Sequence, residues 1–188
     1  MKIIDFTTEY FDTIGPRCSL LYKESLEISE RINYKGGMLL SRLNEMFLHY
    51  VSTSPEKMNA DFFEAEKMLN ELRDEPFEYA YALNLMAYHH WFRGEFEKGF
   101  NKIFEAVKHL DKLKDDKAVG WIYYALGVFY FDTKDFGASE ENYGRSMNFF
   151  RQKGYPYGIA RAQNGLASVK IRQEKFAEAA PLLEEAIV

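Results

Sequence analysis

Residues 120–146 read GWIYYALGVFYFDTKDFGASEENYGRS, and this stretch recurs with changes forty residues upstream and forty residues downstream. When the segments beginning at residues 80, 120 and 160 are aligned, one phenylalanine occupies the same column in each: Phe96, Phe136 and Phe176. Small residues fill three further columns: Ala87, Gly127 and Ala167; Gly99, Ser139 and Ala179; Ala106, Ser146 and Ala186. A fixed period of this length is typical of proteins built from stacked helical units.

Each unit is predicted to form two helices. Apolar residues recur at helical spacing on both sides of a short polar joint, which falls at residues 93–95, 133–135 and 173–175. Small residues are expected where two helices cross at about 8 to 10 Å, because a larger side chain would hold the backbones apart. The pattern therefore predicts antiparallel helical hairpins.

This pattern resembles the tetratricopeptide repeat. The residues that carry the resemblance are Tyr123, Leu126, Gly127, Tyr130, Phe136, Ser139, Tyr143, Ser146 and Pro156. The usual period is about 34 residues, so the second helix or the following loop is expected to carry about six more. The resemblance implies an all-α, right-handed superhelical solenoid of antiparallel helix pairs. Longer units of this kind resemble those of bacterial signalling regulators, including cytosolic peptide-pheromone receptors, and those of kinesin light chains.

We interpret residues 1–188 as a single solenoid with a degenerate leading unit at 1–37. Its repeats are predicted at 38–79, 80–119, 120–159 and 160–188, and the leading unit is predicted to contain helices within 3–14 and 19–32. The pattern stops in mid-repeat at Val188 without a polar capping helix, and solenoids need such caps. We therefore expect this chain to be the N-terminal part of a longer protein, or another subunit to cover its end.

Composition and charge argue against several classes of partner. The chain has 29 acidic and 24 basic residues, a net charge of −5, so no broad attraction to nucleic acid or anionic lipid is expected. The single cysteine, Cys18, cannot form an intramolecular disulfide, and the N-terminus lacks the apolar run of a signal peptide. We expect a cytoplasmic protein without a membrane segment.

No residue pattern indicates catalysis. A glycine-rich phosphate loop, a paired-cysteine motif and an HExxH motif are all missing from the sequence. Glu45 with His49 and Glu105 with His109 stand at i, i+4 spacing, but each pair offers two ligands where zinc needs three or four. His90 is predicted to be a hydrogen-bonded packing residue. We expect no enzymatic activity, no metal and no cofactor.

The first helices carry a second stripe of residues that the core does not explain. In the family that this chain resembles, these columns line the concave groove, so the resemblance implies side chains that face a trough. The candidate contacts for a peptide or protein partner are Asn44, Tyr81, Asn84, Tyr88, Trp91, Trp121, Tyr124, Phe131, Arg161 and Asn164.

The residue types of this stripe suit a peptide. Asparagine recurs in one column, and its amide can pair with the N–H and C=O groups of any extended backbone. Trp and Tyr are common binding hot spots, and Arg161 with Arg172 favours an acidic or C-terminal carboxylate ligand. The opposite interpretation is that the rings belong to the core and that the asparagines brace neighbouring helices.

Two functions follow from these patterns. The first is a scaffold whose groove binds a protein or peptide, as a sensory or regulatory module of a bacterial signalling protein. The alternative is a self-association scaffold, in which the aromatic stripe or the last helix pairs with a second copy to form a homodimer.

Overall fold

The computed structural model describes residues 15–48, 55–113 and 117–186, and every regular element within these ranges is an α-helix. The helices are α1 (Gly15–Arg31), α2 (Lys35–Leu48), α3 (Pro55–Asn70), α4 (Pro76–Phe92), α5 (Phe96–Val107), α6 (Leu110–Leu113), α7 (Lys117–Asp132), α8 (Phe136–Gln152), α9 (Pro156–Arg172) and α10 (Phe176–Ala186). The predicted all-α class is confirmed for these ranges, whereas the helix predicted within 3–14 lies outside them.

The 40-residue period consists of long helices and short joints. Helices α8 and α9 each have 17 residues, and the three-residue joints 153–155 and 173–175 follow them. The aligned phenylalanines are the first residues of α5, α8 and α10. The residues beyond the usual period therefore lie in the helices of this unit and not in its loops.

Five joints end their helices in the same way. At each joint one residue has a positive φ, from 54° to 71°, and these residues are Asn33, Gly94, Lys134, Gly154 and Glu174. The N–H of the positive-φ residue bonds to the carbonyl three residues back, and the next N–H bonds to the carbonyl five residues back. This pair of bonds is the Schellman arrangement, which satisfies carbonyls at a helix end.

By its internal contacts the chain divides into two compact units, Met1–Leu85 and Met86–Val188, and the division falls within α4. In the first unit α2 contacts both α1 and α3. Its buried apolar side chains include Leu39, Leu43, Phe62, Leu69 and Leu83. The hydroxyl of Tyr34 donates to the carboxylate of Glu78, and burial together with this acidic neighbour raises the pKa of Tyr34 to about 12.

In the second unit α8 packs against α7 and α9, and α10 packs against α9. The ring of Tyr143 on α8 lies against Gly127 of α7 and Gly165 of α9, where an added Cβ would approach the ring to within 2.6 Å and 2.5 Å. Phe150 lies in the same way against Gly120 and Gly158, at 2.4 Å and 2.5 Å. The two rings therefore occupy space that the glycines leave open.

Two serines of the small columns link α8 to α7. The Ser139 hydroxyl donates to the Gly127 carbonyl at 2.8 Å, and the Ser146 hydroxyl donates to the Gly120 carbonyl at 2.9 Å. Both serines are fully buried. The small columns therefore lie at helix crossings, as predicted, and the serines add an interhelical hydrogen bond that alanine could not make.

No helix within the described ranges is both long and apolar enough to cross a membrane. The predicted division of residues 1–188 into one solenoid with four repeats stays a prediction.

Candidate functional site

The predicted contact residues of the first unit are mostly occupied with packing. Asn44 is partly buried and its amide donates to the Leu40 carbonyl of its own helix at 2.8 Å. Tyr81 is partly buried and stacks on Phe77, with ring centroids 5.9 Å apart. Asn84 is only 3% exposed, and its side-chain oxygen accepts no hydrogen bond from the residues that the structure describes.

In the second unit, α7 and α9 bring several predicted contacts together. The Arg161 guanidinium lies over the ring of Tyr124, with its Cζ 5.2 Å from the centroid. Arg172, three helical turns further along α9, lies over the ring of Phe131 at 5.8 Å. Arg161, Asn164 and Arg172 are all exposed.

Trp121 is at the centre of an aromatic cluster near the start of both helices. Its ring contacts Tyr124, Phe150 and Tyr157, with centroid distances of 5.7, 4.9 and 5.9 Å. Trp121 is partly buried, whereas Tyr157 is 60% exposed. Sequence reasoning missed Tyr157, although extending the stripe by one turn towards the N-terminus of α9 reaches its position.

Tyr124 lies at the base of this surface and is 9% exposed. Burial raises the pKa of its hydroxyl, and the nearby Arg161 opposes that rise. Tyr124 packs with Tyr143, Leu166 and Val169 in the core of the second unit. The packing interpretation therefore describes Tyr124, while its neighbours on the same stripe reach solvent.

The remaining candidates, Tyr88 and Trp91, come from the last turns of α4. Their rings meet edge to face with centroids 6.5 Å apart, and both are partly buried. The indole N–H of Trp91 donates to the carboxylate of Asp132 at the end of α7. This bond joins the end of α4 to the end of α7, at the residue that follows Phe131 in the sequence.

His90 is a packing residue, as predicted. It is 7% exposed, and its Nδ1 lies 2.7 Å from a carboxylate oxygen of Glu95. Burial lowers the pKa of His90, and the Glu95 carboxylate opposes this effect without reversing it. Glu95 also pairs with Arg93 and Lys98, both at 3.4 Å.

Among the described residues, no group of three or more His, Cys, Asp and Glu side chains could hold a metal ion. His49, one member of the predicted Glu/His pairs, lies outside these residues. Burial also lowers the pKa of His109, which is the other histidine of those pairs.

The comparisons with known proteins bear on the half of the chain that carries this surface. The tetratricopeptide-repeat family model matches residues 118–187. These residues form tetratricopeptide repeats. Such repeats are typically non-catalytic scaffolds for protein–protein interaction. Helices α7 and α9, with Trp121, Tyr157, Arg161 and Arg172, fall inside this segment or at its edge.

A crystal structure of BtubC (BKLC) from P. vanneervenii is similar to this chain, with a TM-score of 0.72 and 19% sequence identity. The similarity covers 93% of this chain and 73% of that chain. No curated protein matches the chain in sequence. The structural likeness concerns the fold, and with the tetratricopeptide-repeat match it confirms the predicted class, an all-α solenoid of helix pairs.

Proposed function

We propose that this protein is an interaction scaffold whose exposed surface on α7 and α9 binds an extended peptide segment of a partner protein. We call this surface the arginine–aromatic face and define it by Trp121, Phe131, Tyr157, Arg161, Asn164 and Arg172. The single observation that supports the proposal most is that an exposed amide and two exposed guanidiniums stand beside aromatic rings on two adjacent helices.

The chemistry of the face suits a backbone with side chains of mixed character. Asn164 offers both donors and an acceptor to the amides of an extended segment. Tyr157 and Trp121 together offer ring surface, which contributes strongly to binding where a partner side chain covers it. Tyr124 is buried under Arg161, so the proposal gives it a supporting position rather than contact with the peptide. Asn84 is buried within the first unit and is not assigned to this face.

We further propose that the scaffold serves as a sensory or regulatory module of a cytoplasmic bacterial signalling protein. The support is the 40-residue period, which resembles the repeats of such regulators, together with an interaction surface and no motif for catalysis. Binding of a partner segment would be the input, and a region outside the described helices would carry the output.

The test of the binding proposal is selection of short random peptides displayed on phage, with the whole chain immobilised. An enriched peptide is then titrated by fluorescence anisotropy against wild type, Asn164→Ala and Tyr157→Ala. We expect each variant to weaken binding about fivefold or more, since each removes an exposed side chain that is proposed to contact the peptide. The matched control is Asn148→Ala, an exposed asparagine on α8, which should leave affinity unchanged.

Self-association is the second candidate, and exposed apolar side chains near the last joint favour it. Phe176 at the start of α10 is 63% exposed, and Ile171 near the end of α9 is 42% exposed. Analytical ultracentrifugation over a wide concentration range distinguishes the two functions. A dimer that Phe176→Ser dissociates would support self-association, whereas a monomer at every concentration would exclude it.

A further inference from the structure

We propose that the segment bound by the arginine–aromatic face is acidic and carries two carboxylates about five residues apart. This inference rests on the proposed function, because it names the chemical class of the peptide that the same face binds. Three features of Arg161 and Arg172 are its basis: their spacing along α9, the aromatic ring beneath each guanidinium, and the lack of a carboxylate partner among the residues that the structure describes.

The two arginines lie on one side of α9 at a defined separation. Arg172 follows Arg161 by eleven positions, which is about three helical turns and about 16.5 Å along the axis. An extended chain advances about 3.3 Å per residue. A segment running along α9 therefore reaches both guanidiniums with acidic groups about five positions apart.

Both guanidiniums are supported from below by a ring of the neighbouring helix. Arg161 lies over Tyr124 and Arg172 lies over Phe131, at 5.2 and 5.8 Å. A guanidinium resting on an aromatic face keeps its N–H groups at its edge, where they can bond a carboxylate in bidentate fashion. The support also reduces the rotamer freedom that binding would otherwise remove.

Neither arginine has a carboxylate partner among the residues that the structure describes, whereas other cations of the same unit do. Arg145 pairs with Glu141 at 2.6 Å, and Lys170 pairs with Glu140 and Glu178 at 2.6 and 2.9 Å. Lys170 is on α9 as well, so a cation of the same helix does have carboxylate partners within the protein. The two face arginines are left with positive charge directed to solvent.

The residues between the arginines suit a peptide backbone more than a nucleic acid. Asn164 is exposed, Ser168 donates its hydroxyl to the Asn164 carbonyl at 2.9 Å, and Ile171 is 42% exposed. A net charge of −5 opposes the approach of a polyanion such as a phosphate backbone more strongly than that of a segment with two acidic groups. Two isolated cations on an acidic protein favour a ligand with matching isolated anions.

The experiment compares peptides selected by wild type with those selected by an Arg161→Gln/Arg172→Gln double variant. We expect peptides enriched on wild type to carry two Asp or Glu residues four to six positions apart, as the helical rise requires. The double variant should not enrich this pattern. Arg145→Gln is the matched control, because it also removes an arginine lying over a tyrosine ring, Tyr123.

Titration of one enriched peptide then gives the effect of each charge. Each single variant, Arg161→Gln or Arg172→Gln, is expected to weaken binding about fivefold, and replacing the corresponding acidic residue of the peptide by its amide should do the same. Arg145→Gln should bind as wild type does. Circular dichroism of each variant checks that the helices are retained.

The failure of this inference differs from the failure of the proposed function. Enriched peptides that lack paired acids and bind the double variant as well as wild type would overturn the inference and leave the binding role intact. No enrichment of any peptide would overturn both. Tighter binding of a short oligothymidine than of the selected peptides, lost in the double variant, would assign the arginines to nucleic acid instead.

Discussion

At the scale of single residues, a large ring on one helix lies opposite glycines on the neighbouring helices. Tyr143 lies between Gly127 and Gly165. Forty residues earlier the corresponding column holds Ile103, and the columns of the two glycines hold Ala87 and Ala125. The smaller Ile103 therefore occurs with two alanines, and the larger Tyr143 occurs with two glycines. This exchange keeps the total side-chain volume similar, as a close-packed core requires.

Gly165→Ala should destabilise the protein. The new methyl would lie 2.5 Å from the Tyr143 ring, and such overpacking typically lowers the free energy of unfolding by about 1 to 3 kcal/mol. Urea denaturation followed by circular dichroism measures the change. A double-mutant cycle with Tyr143→Leu should show coupling, because the smaller side chain removes the clash.

Gly144→Ala is the matched control for that substitution. Gly144 lies on α8 and a Cβ there would meet nothing within 4 Å. The exchange should raise the free energy of unfolding by about 0.5 to 1 kcal/mol, because alanine favours the helix interior. Equal effects of the two substitutions would contradict the packing explanation.

Acidification should destabilise the second unit through His90 and Glu95. The folded-state pKa of His90 is lowered from 6.5 by burial, and that of Glu95 is lowered from 4.5 by its hydrogen bond with His90. Both groups therefore contribute stability above their unfolded pKa values, and this contribution is lost as the pH falls through the folded values. Through His90 the free energy of unfolding should fall from about pH 7.5 to about pH 5, and through Glu95 it should fall further below about pH 4.5.

His90→Gln separates this pair from the other histidines. Glutamine can still donate to Glu95 but does not titrate between those pH values. The variant should therefore lose less stability than wild type between about pH 7.5 and about pH 5, as measured by chemical denaturation at each pH. A variant that loses as much as wild type would exclude His90 as a source of the pH dependence.

At the scale of elements, the joints follow one backbone geometry with different residues. The positive-φ position is Gly94 at one joint, but it is Lys134 and Glu174 at the equivalent joints forty and eighty residues later; the other two joints have Asn33 and Gly154. A residue with a Cβ is disfavoured in this conformation by about 1 kcal/mol or more. The geometry is therefore required by the hairpin, and three of the five joints adopt it with a residue other than glycine.

Lys134→Gly should raise the free energy of unfolding by about 1 kcal/mol, because glycine adopts the left-handed conformation without steric strain. The matched reverse change is Gly154→Ala, which should lower it, since Gly154 has a φ of 59°. Thermal denaturation of both variants checks the prediction. A lower melting temperature for Lys134→Gly would mean that the lysine side chain contributes more than the strain removes.

The elements themselves were predictable, and the reason is the repeat. Aligned phenylalanines and small columns place the helix starts and crossings, because every unit must bury the same face against its neighbour. The positive φ of Lys134 could not be predicted from lysine itself, since lysine has no preference for the left-handed conformation. Its alignment with Gly94, forty residues earlier, does indicate that conformation.

At the scale of the whole molecule, the sequence identifies a surface stripe but not the depth of each of its residues. Asn164 and Asn84 share one column, yet Asn164 is exposed and Asn84 is 3% exposed. Tyr124 occupies that column as well and is covered by Arg161 of the next first helix. Periodicity fixes the side of a helix that a residue occupies, whereas burial depends on the size of the neighbours across the crossing.

The central claim is that the arginine–aromatic face receives a partner segment, and chemical-shift mapping tests it most directly. A selected peptide is titrated into isotope-labelled protein, and the Trp121 indole signal and the backbone amides of Arg161, Asn164 and Arg172 are followed. We expect these signals to shift in proportion to saturation. Saturable binding that leaves them unmoved while signals of α8 shift would contradict the claim.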